Sequence, residues 1–279
     1  MSTARLDRFV AFSDTPAGGN PAGVWVGDAL LPPQDMQQIA AEVGYSETAF
    51  VVPSAGDERT VRYFSPEAEV AFCGHATVAV GASLGAYDGE GTYRLVTPVG
   101  VIPVTATRSG DHWRASLTSV VPAVKPVADD VVSEALRALR WDHADLDPGV
   151  PPALAYAGEW HLVLAVRERD RLRRLDYDFG ALLAVCRAAH VVTPQLVWRE
   201  SEAVFHARNP FPIGGVVEDP ATGAAAALGG YLREAGLVCP PMTLTVHQGE
   251  DMGRPSLIEV EVPPGGGLVV SGAAVRAGC

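Results

Sequence analysis

Residues 74–85 have the sequence Gly-His-Ala-Thr-Val-Ala-Val-Gly-Ala-Ser-Leu-Gly, in which small and apolar residues occupy almost every side. A helix without a polar face is buried all round. A second stretch of this kind, Thr-Gly-Ala-Ala-Ala-Ala-Leu-Gly-Gly-Tyr-Leu, occupies residues 222–232, about half a chain length later. The pattern predicts two similar lobes, each a β-sheet wrapped around one central helix. Two unrelated alanine-rich helices are the alternative.

The segments around these helices alternate between strand and helix patterns. In the first half, residue spacing predicts an amphipathic helix over 33–44 and strands over 8–12, 22–26, 48–52, 60–64, 93–106 and 113–120. In the second half, it predicts helices over 133–140 and 179–189, and strands over 160–166, 196–198, 203–208, 242–247, 257–262 and 268–270. We expect an N-terminal lobe of residues 1–122, joined by the C-terminal strand 268–279, a proline-rich linker at 123–130, and a C-terminal lobe of 131–267.

The chain of 279 residues contains one lysine, Lys125, and has a net charge of −12. Pyridoxal-phosphate enzymes and Schiff-base aldolases need a lysine amine, and a GxxxxGK phosphate loop needs one as well. Lys125 lies between prolines with no glycine loop nearby, so these classes are disfavoured. The acidic balance also argues against nucleic acid as a partner, because phosphate binding needs clustered basic residues. The basic run at 167–174 is typical of a solvated helix or loop end.

Targeting and metal signals are weak throughout the sequence. Apolar runs are too short to span a membrane, and the first ten residues do not resemble a signal peptide. The cysteines are scattered without CxxC spacing, which favours reduced thiols in a cytoplasmic protein. The histidines show neither HxxH nor HExxH spacing, so no metal site is predicted. A GxSxG match at 81–85 places Ser83 late inside the predicted helix, which disfavours a hydrolase nucleophile elbow.

Both predicted central helices begin with residues suited to binding an anion. At the second, Asp219-Pro220 is a typical helix cap, and the backbone N–H groups of Thr222, Gly223 and Ala224 could hold a carboxylate. Asp219 could hold an amine or a hydroxyl beside it. At the first, residues 73–77 are Cys-Gly-His-Ala-Thr, and His75 could exchange a proton with a ligand. If the two lobes face each other, both helix starts converge on one cleft; a capping or core role is the alternative for each residue.

Glu47 is the candidate general acid/base. It lies between the end of the 33–44 helix and an apolar strand, where a carboxylate can work near neutral pH. An exposed glutamate at a strand start is the alternative. Asn20, in Gly-Gly-Asn-Pro, is most simply a turn residue, and Arg254 is a possible carboxylate ligand.

These segments together resemble the PhzF-like family of phenazine-biosynthesis isomerase relatives, which shares the diaminopimelate-epimerase fold. The resemblance rests on Gly-Asn-Pro-Ala-Gly-Val (19–24), Ser-Glu-Thr-Ala-Phe-Val (46–51), Cys-Gly-His-Ala-Thr (73–77) and Glu-Asp-Pro-Ala-Thr-Gly (218–223), with shorter matches at 36–40, 64–66, 248–249 and 252–256. Their order and spacing cover nearly the whole chain.

The resemblance implies an α+β fold with two mostly antiparallel lobes and a cofactor-free isomerase that is usually a homodimer. In the phenazine enzyme, a glutamate moves a proton between ring carbons of trans-2,3-dihydro-3-hydroxyanthranilate, and the enol product then tautomerises. Carried onto this chain, the catalytic residues are Glu47, His75 and Asp219. The residues expected at a small carboxylate substrate are Asn20, Gly74, Ala76, Thr222, Gly223 and Ala224.

One position departs from the family pattern. Ala224 stands where the phenazine enzymes have a serine that contacts substrate, so the substrate is in question more than the acid/base step. A related epimerase or dehydratase, or a ligand-binding relative without activity, remains an alternative. Two-thiol racemisation is disfavoured, because Cys73 has no cysteine counterpart at the second helix start.

Overall fold

The computed structural model describes residues 4–221 and 223–278. The chain divides into two compact units. Unit 1 runs to Thr118 and resumes at Ser271, and unit 2 spans Ser119–Val270. Thr222, the expected start of the second central helix, lies outside the described residues.

Unit 1 contains most of the first half of the chain. Its strands are β1 (Arg5–Ala11), β2 (Asn20–Val26), β3 (Glu47–Pro53), β4 (Glu58–Phe64), β5 (Glu69–Val70), β6 (Gly91–Thr97), β7 (Gly100–Ser109) and β8 (His112–Thr118). Its helices are α1 (Pro33–Val43) and α2 (Gly74–Asp88).

The strands of unit 1 form a closed eight-stranded barrel. The order is β1-β2-β3-β4-β6-β7-β8, followed by the C-terminal strand, which also pairs with β1. The pairs β2–β3 and β4–β6 are parallel, whereas β1–β2, β3–β4, β4–β5, β6–β7, β7–β8 and β1–β18 are antiparallel. The barrel surrounds α2, whose residues from His75 to Gly85 are all buried. This confirms the expected buried central helix.

Small residues let the barrel wall approach α2. A Cβ atom on Gly81 would lie 2.7 Å from a Val104 methyl and 2.8 Å from the Ala115 Cβ. Gly85 faces the Trp113 ring in the same way, at 2.6 Å. The helix α1 instead packs one face, including Met36 and Ala40, against Phe50 and Phe64.

Unit 2 contains the remaining elements. Its strands are β9 (Ala123–Pro126), β10 (Ala153–Tyr156), β11 (Trp160–Val166), β12 (Thr193–Arg199), β13 (Val204–Arg208), β14 (Pro210–Phe211), β15 (Val216–Glu218), β16 (Met242–Gln248) and β17 (Ser256–Val262). Its helices are α3 (Asp129–Leu139), α4 (Arg169–Arg173), α5 (Phe179–Ala189) and α6 (Ala224–Glu234). Short 3-10 turns lie at His143–Asp145, Pro212–Gly214 and Glu250–Met252, and β18 (Val269–Arg276) continues into unit 1.

The sheet of unit 2 repeats the plan of unit 1. Its order is β17-β16-β13-β12-β11-β10-β9, with β11–β12 and β13–β16 parallel. The helix α6 packs against β9, β10, β11, β12 and β17. The α+β fold of two similar, mostly antiparallel lobes around central helices is therefore confirmed. A further core forms where α3 and α5 pack on β11 and β12.

One local expectation differs from the structure. The predicted linker 123–130 contains β9, in which Lys125 pairs with Leu154, followed by the start of α3. The prolines mislead because β9 is the last strand in the sheet order, and an edge strand tolerates proline.

Among the helices of the described residues, none is long and apolar enough to cross a membrane.

Candidate functional site

The start of α2 is held firmly by its own first turn and by the barrel. Cys73 is the residue before the helix, and its backbone is extended. The Thr77 hydroxyl donates to the Cys73 carbonyl oxygen at 2.7 Å and lies 2.7 Å from the Tyr63 hydroxyl. Tyr63 is fully buried in β4, so these contacts tie the helix start to the barrel wall.

His75 projects from this turn and is 4% exposed. The Asn20 amide nitrogen lies 3.2 Å from His75 Nδ1. Because an amide N–H can only donate, Nδ1 is the acceptor and the ring proton sits on Nε2. Burial lowers the pKa of His75, although the nearby Glu47 carboxylate acts in the opposite direction. The imidazole is therefore neutral near pH 7.

The Glu47 carboxylate accepts a hydrogen bond from the His75 ring. Its Oε2 lies 3.2 Å from His75 Nε2, and its side chain is 15% exposed. The Ser46 hydroxyl lies 3.2 Å from the same ring nitrogen. The arrangement fixes the orientation of the Glu47 carboxylate while leaving part of it accessible, as a general acid/base requires.

The topology explains why residues so distant in sequence meet. Asn20 and Glu47 are the first residues of β2 and β3. Because these strands are parallel, both residues lie at the same end of the barrel. Gly44, in a left-handed conformation, ends α1 and turns the chain into β3. The start of α2 lies at the same end of the barrel. The structure thus brings together Asn20, Glu47 and His75, all three predicted from sequence.

The remaining unit 1 candidates contribute backbone. Gly74 is the first residue of α2, and a Cβ atom there would meet no heavy atom of the described structure within 4 Å. Ala76, two residues further along the helix, is fully buried. The N–H groups of a first helical turn point out of the helix, where they can bind an anionic group.

Cys73 was not a predicted site residue, yet it joins this cluster. Its Sγ lies 3.2 Å from His75 Nδ1 and 3.9 Å from Nε2. One donor atom each from Glu47, Cys73 and His75 lie within 4.8 Å of one another. The Cys-x-His spacing was a weak signal, and strands β3, β4 and β5 separate the third member, Glu47, from it in the chain.

Asp219, in unit 2, lies in the loop between β15 and α6. Its Oδ1 accepts from the Ala221 N–H at 3.1 Å. The expected helix-cap role was wrong: Gly223 is the residue before α6, and the helix starts at Ala224. The side chain instead closes a turn of its own loop, because Asp competes well for nearby backbone N–H groups.

Two buried residues, Asn209 through its backbone and Gln248 through its side chain, hold the Asp219 backbone. The Asp219 N–H donates to the Asn209 carbonyl oxygen at 2.9 Å, and Gln248 Nε2 donates to the Asp219 carbonyl oxygen at 2.8 Å. Gly249 follows with a positive φ, and a Cβ atom there would lie 3.0 Å from the Pro220 oxygen. In the sequence, Gln248 and Gly249 stood out only as a short match to the family pattern.

The other unit 2 candidates lie at the start of α6. A Cβ atom on Gly223 would meet no described heavy atom within 4 Å, and the Ala224 side chain is fully buried. That Asp219, Gly223 and Ala224 act on the same ligand as Glu47 stays a prediction.

Ser83, the serine of the GxSxG match, has a structural role. It is fully buried within α2, and its hydroxyl donates to Asp7 Oδ2 at 2.9 Å. A serine inside a helix and bonded to a carboxylate is not presented on a nucleophile elbow, in agreement with the sequence expectation.

Comparison with known proteins shows the family of the chain. The family model of phenazine biosynthesis-like proteins, PhzC-PhzF, matches residues 9–277. An uncharacterized isomerase of Bacillus subtilis, YfhB, is 30% identical over 279 residues, covering 96% of this chain and 94% of that protein. The trans-2,3-dihydro-3-hydroxyanthranilate isomerase of Pseudomonas fluorescens is 32% identical over 251 residues, covering 89% of this chain and 86% of that protein.

A solved structure gives the same fold. The PhzF-family phenazine biosynthesis protein of Bacillus anthracis superimposes with a TM-score of 0.86 at 24% identity, covering 100% of this chain and 98% of that chain. The sequence relatives are named isomerases, and together with the family match they support an isomerase function for the chain. The chain belongs to the phenazine biosynthesis-like PhzC-PhzF family of isomerases.

Proposed function

We propose that the chain is a cofactor-independent isomerase that shifts a proton on a small amino or hydroxy carboxylate, with Glu47 as the general acid/base. The observation that carries this proposal is the 3.2 Å contact between Glu47 Oε2 and the buried Nε2 of His75. That contact holds one carboxylate in a defined orientation at the start of a buried helix.

The proton transfer requires only groups of this site. The Glu47 carboxylate removes a proton from a substrate carbon, and the electron pair delocalises within the substrate. The Glu47 carboxylic acid then returns the proton to a second carbon. His75 stays neutral and orients Glu47 through its Nε2–H. The step needs no lysine; the Lys125 ammonium group lies 4.3 Å from the Trp160 ring in unit 2.

The start of α2 supports an anionic substrate. The space above Gly74 allows a ligand oxygen to approach the first-turn N–H groups, and the helix dipole favours negative charge at that end. Charge that develops during proton removal is stabilised there by fixed donors. These features favour a carboxylate or an enolate-forming group over a cation.

A deuterium-exchange screen tests the proposal. Candidate carboxylates, including trans-2,3-dihydro-3-hydroxyanthranilate, are incubated in D₂O with wild type and with Glu47→Gln, and mass gain is measured. We expect the variant to lose turnover by about 10²–10⁴-fold, the usual contribution of a general acid/base, because the amide cannot accept the proton.

Glu42→Gln is the matched control. Glu42 is an exposed carboxylate near the end of α1, so its replacement should leave exchange unchanged. Exchange by Glu47→Gln at the wild-type rate would contradict the acid/base assignment.

Replacement of the family serine by Ala224 keeps a second reaction class open. A related epimerase or dehydratase would remove a proton next to a carboxylate, whereas a binding relative would catalyse no exchange. Deuterium gain with loss of optical activity indicates epimerisation, and loss of water indicates dehydration. An allylic shift changes the position of a double bond with neither outcome.

We further propose, from the family resemblance, that the enzyme is a homodimer. The scattered cysteines support a cytoplasmic location, and the net charge of −12 disfavours nucleic-acid partners. Light scattering of the purified chain measures its oligomeric state directly. A monomer over the whole micromolar range would contradict the dimer.

A further inference from the structure

We propose that Cys73, His75 and Glu47 form a nucleophilic triad, in which the Cys73 thiol adds covalently to small α,β-unsaturated carboxylates. The adduct would lie against His75 and inactivate the enzyme, and this consequence rests on the proposed function of Glu47. The covalent step itself rests on the geometry of the three side chains.

The His75 ring lies between a thiol and a carboxylate. Cys73 Sγ lies 3.2 Å from Nδ1, and Glu47 Oε2 lies 3.2 Å from Nε2, at the other end of the ring. A nucleophile at one ring nitrogen and an acid that orients the ring at the other is the arrangement of a catalytic triad. His75 can therefore take the thiol proton while Glu47 stabilises the charged ring.

The His75 ring has the tautomer that this step needs. The Asn20 amide nitrogen lies 3.2 Å from Nδ1, so Nδ1 carries a lone pair and Nε2 carries the proton. The titratable groups in contact with the ring are Glu47 on β3 and Cys73 before α2. Burial lowers the pKa of His75, although Glu47 acts in the opposite direction. Nδ1 is therefore able to accept a proton at neutral pH.

Space for a ligand lies next to the thiol. Cys73 is partly exposed, whereas Cys186 is buried in the core of α3 and α5. A Cβ atom on Gly74 would meet no described heavy atom within 4 Å. The N–H groups at the start of α2 can hold a carboxylate or an enolate oxygen there. A small carboxylate bound at this helix start lies close to the sulfur, because Gly74 follows Cys73 directly.

The addition is balanced without a further reactant. As the Cys73 sulfur attacks the β-carbon, its proton passes to His75 Nδ1 and a sulfur–carbon bond forms. The electron pair of the carbon–carbon double bond moves to the α-carbon and its carbonyl group. The proton on Nδ1 then passes to the α-carbon, so His75 and Glu47 return to their starting states.

Labelling of the full chain tests the thiol without any assay of isomerisation. Monomethyl fumarate is added at pH 7, and peptide mass spectrometry follows its addition to Cys73 and to the exposed Cys239 in the same chain. We expect Cys73 to react at least tenfold faster than Cys239, because His75 removes its proton. Reaction of Cys73 at or below the rate of Cys239 overturns the triad.

Dimethyl fumarate tests the selectivity for a carboxylate. It offers the same double bond without a negative charge, so the rate of Cys73 relative to Cys239 should fall at least threefold. An equal ratio with both probes overturns the carboxylate class.

The pH dependence distinguishes a triad from an ordinary thiol. Between pH 6.5 and 7.5, an exposed thiol that loses its proton to solvent reacts about tenfold faster per pH unit. We expect this for Cys239, whereas the rate at Cys73 should change less than threefold, since neutral His75 accepts the proton throughout this range. A tenfold rise at Cys73 contradicts proton transfer to His75.

Variants test the other two members of the triad. His75→Asn and Glu47→Gln should each slow labelling of Cys73 at least tenfold, while labelling of Cys239 stays unchanged. Glu42→Gln is the control and should keep the wild-type rate. Circular dichroism verifies that each chain is folded. A wild-type rate at Cys73 in either folded variant removes that residue from the triad and overturns the proposal.

The deuterium-exchange assay tests inactivation. We expect exchange to stop once Cys73 is labelled, and a Cys73→Ala chain treated in the same way to keep its own untreated rate. Full exchange by labelled wild type overturns the inactivation. Fast labelling of Cys73 together with exchange that ignores Glu47 refutes the acid/base proposal but not the triad, whereas slow labelling with Glu47-dependent exchange refutes only the triad.

Discussion

His75 and His161 are both buried, and burial lowers the pKa of each imidazole. Their neighbours differ. His75 faces the Glu47 carboxylate, which favours the charged ring, whereas His161 Nδ1 lies 2.8 Å from the Thr193 hydroxyl in unit 2. A histidine that faces a carboxylate can orient a proton-transfer group, and one that faces a hydroxyl in a core serves packing and must remain neutral.

His161 should therefore make unit 2 sensitive to acid. Burial lowers its folded pKa to about 4, against about 6.5 in an unfolded chain, so the unfolded state binds the proton first as pH falls. The stabilising contribution is complete above about pH 6.5, is lost progressively below it and levels off near pH 4; the full span is about 3 kcal/mol. Urea unfolding at pH 7, 6, 5 and 4 measures the slope.

His161→Gln should flatten this pH dependence, because the amide does not titrate. His143→Gln, at an exposed position, is the control and should keep the wild-type slope. An equal slope in His161→Gln and wild type would show that other groups cause the acid sensitivity.

At this scale the sequence predicts side chains better than their partners. Glu47 and His75 stood out because each lies at the boundary of a recognisable element. Their contact could not be derived from residue spacing in the sequence. It depends on β2 and β3 being parallel and on α2 beginning at the same end of the barrel. Cys73 was missed as a member of the cluster for the same reason.

Among the elements, α2 depends on having no side chain at two of its glycines. Gly81→Ala would place a methyl group 2.7 Å from a Val104 methyl and 2.8 Å from the Ala115 Cβ. Such overpacking costs about 1–3 kcal/mol, more than the roughly 1 kcal/mol that alanine gains over glycine in a helix. We expect a net loss of up to about 2 kcal/mol in the free energy of unfolding, measured by urea denaturation.

Gly180→Ala in α5 is the matched control. A Cβ atom there would meet only Asp178 Oδ1, at 3.6 Å, so stability should stay the same or rise slightly. A Gly81→Ala chain as stable as wild type would mean that the barrel wall yields around α2.

Element boundaries followed the sequence where the local signals agreed. The helix α5 runs from Phe179 to Ala189, as predicted, with the Asp178 side chain accepting from the Ala181 N–H at its start. The signals failed at Asp219-Pro220, which resembles a helix start but forms a turn ahead of α6. They also failed at β9, where prolines suggest a linker and sheet pairing overrides them.

For the whole molecule, the closure of unit 1 depends on both ends of the described chain. In β18, Val275 pairs with Val10 of β1, and the Phe12 N–H donates to the Ala273 carbonyl oxygen. The Arg276 guanidinium also lies 3.3 Å from the buried carboxylate of Asp7, which accepts from Ser83 of α2. The last strand therefore completes the barrel and supports the central helix.

A chain ending at Val270 should lose the closed barrel. Without Ser271 to Arg276, β1 has no partner on one side, and its amide groups should exchange with solvent at least tenfold faster in hydrogen-exchange mass spectrometry. The core formed by α3 and α5 belongs to unit 2 and should keep its protection. A chain ending at Ala277 retains β18 and is the control. Unchanged protection of β1 in the shorter chain would show that the barrel holds without its closing strand. Lost protection confined to unit 1 would confirm that the C-terminal strand is an integral part of the unit that carries Glu47 and His75.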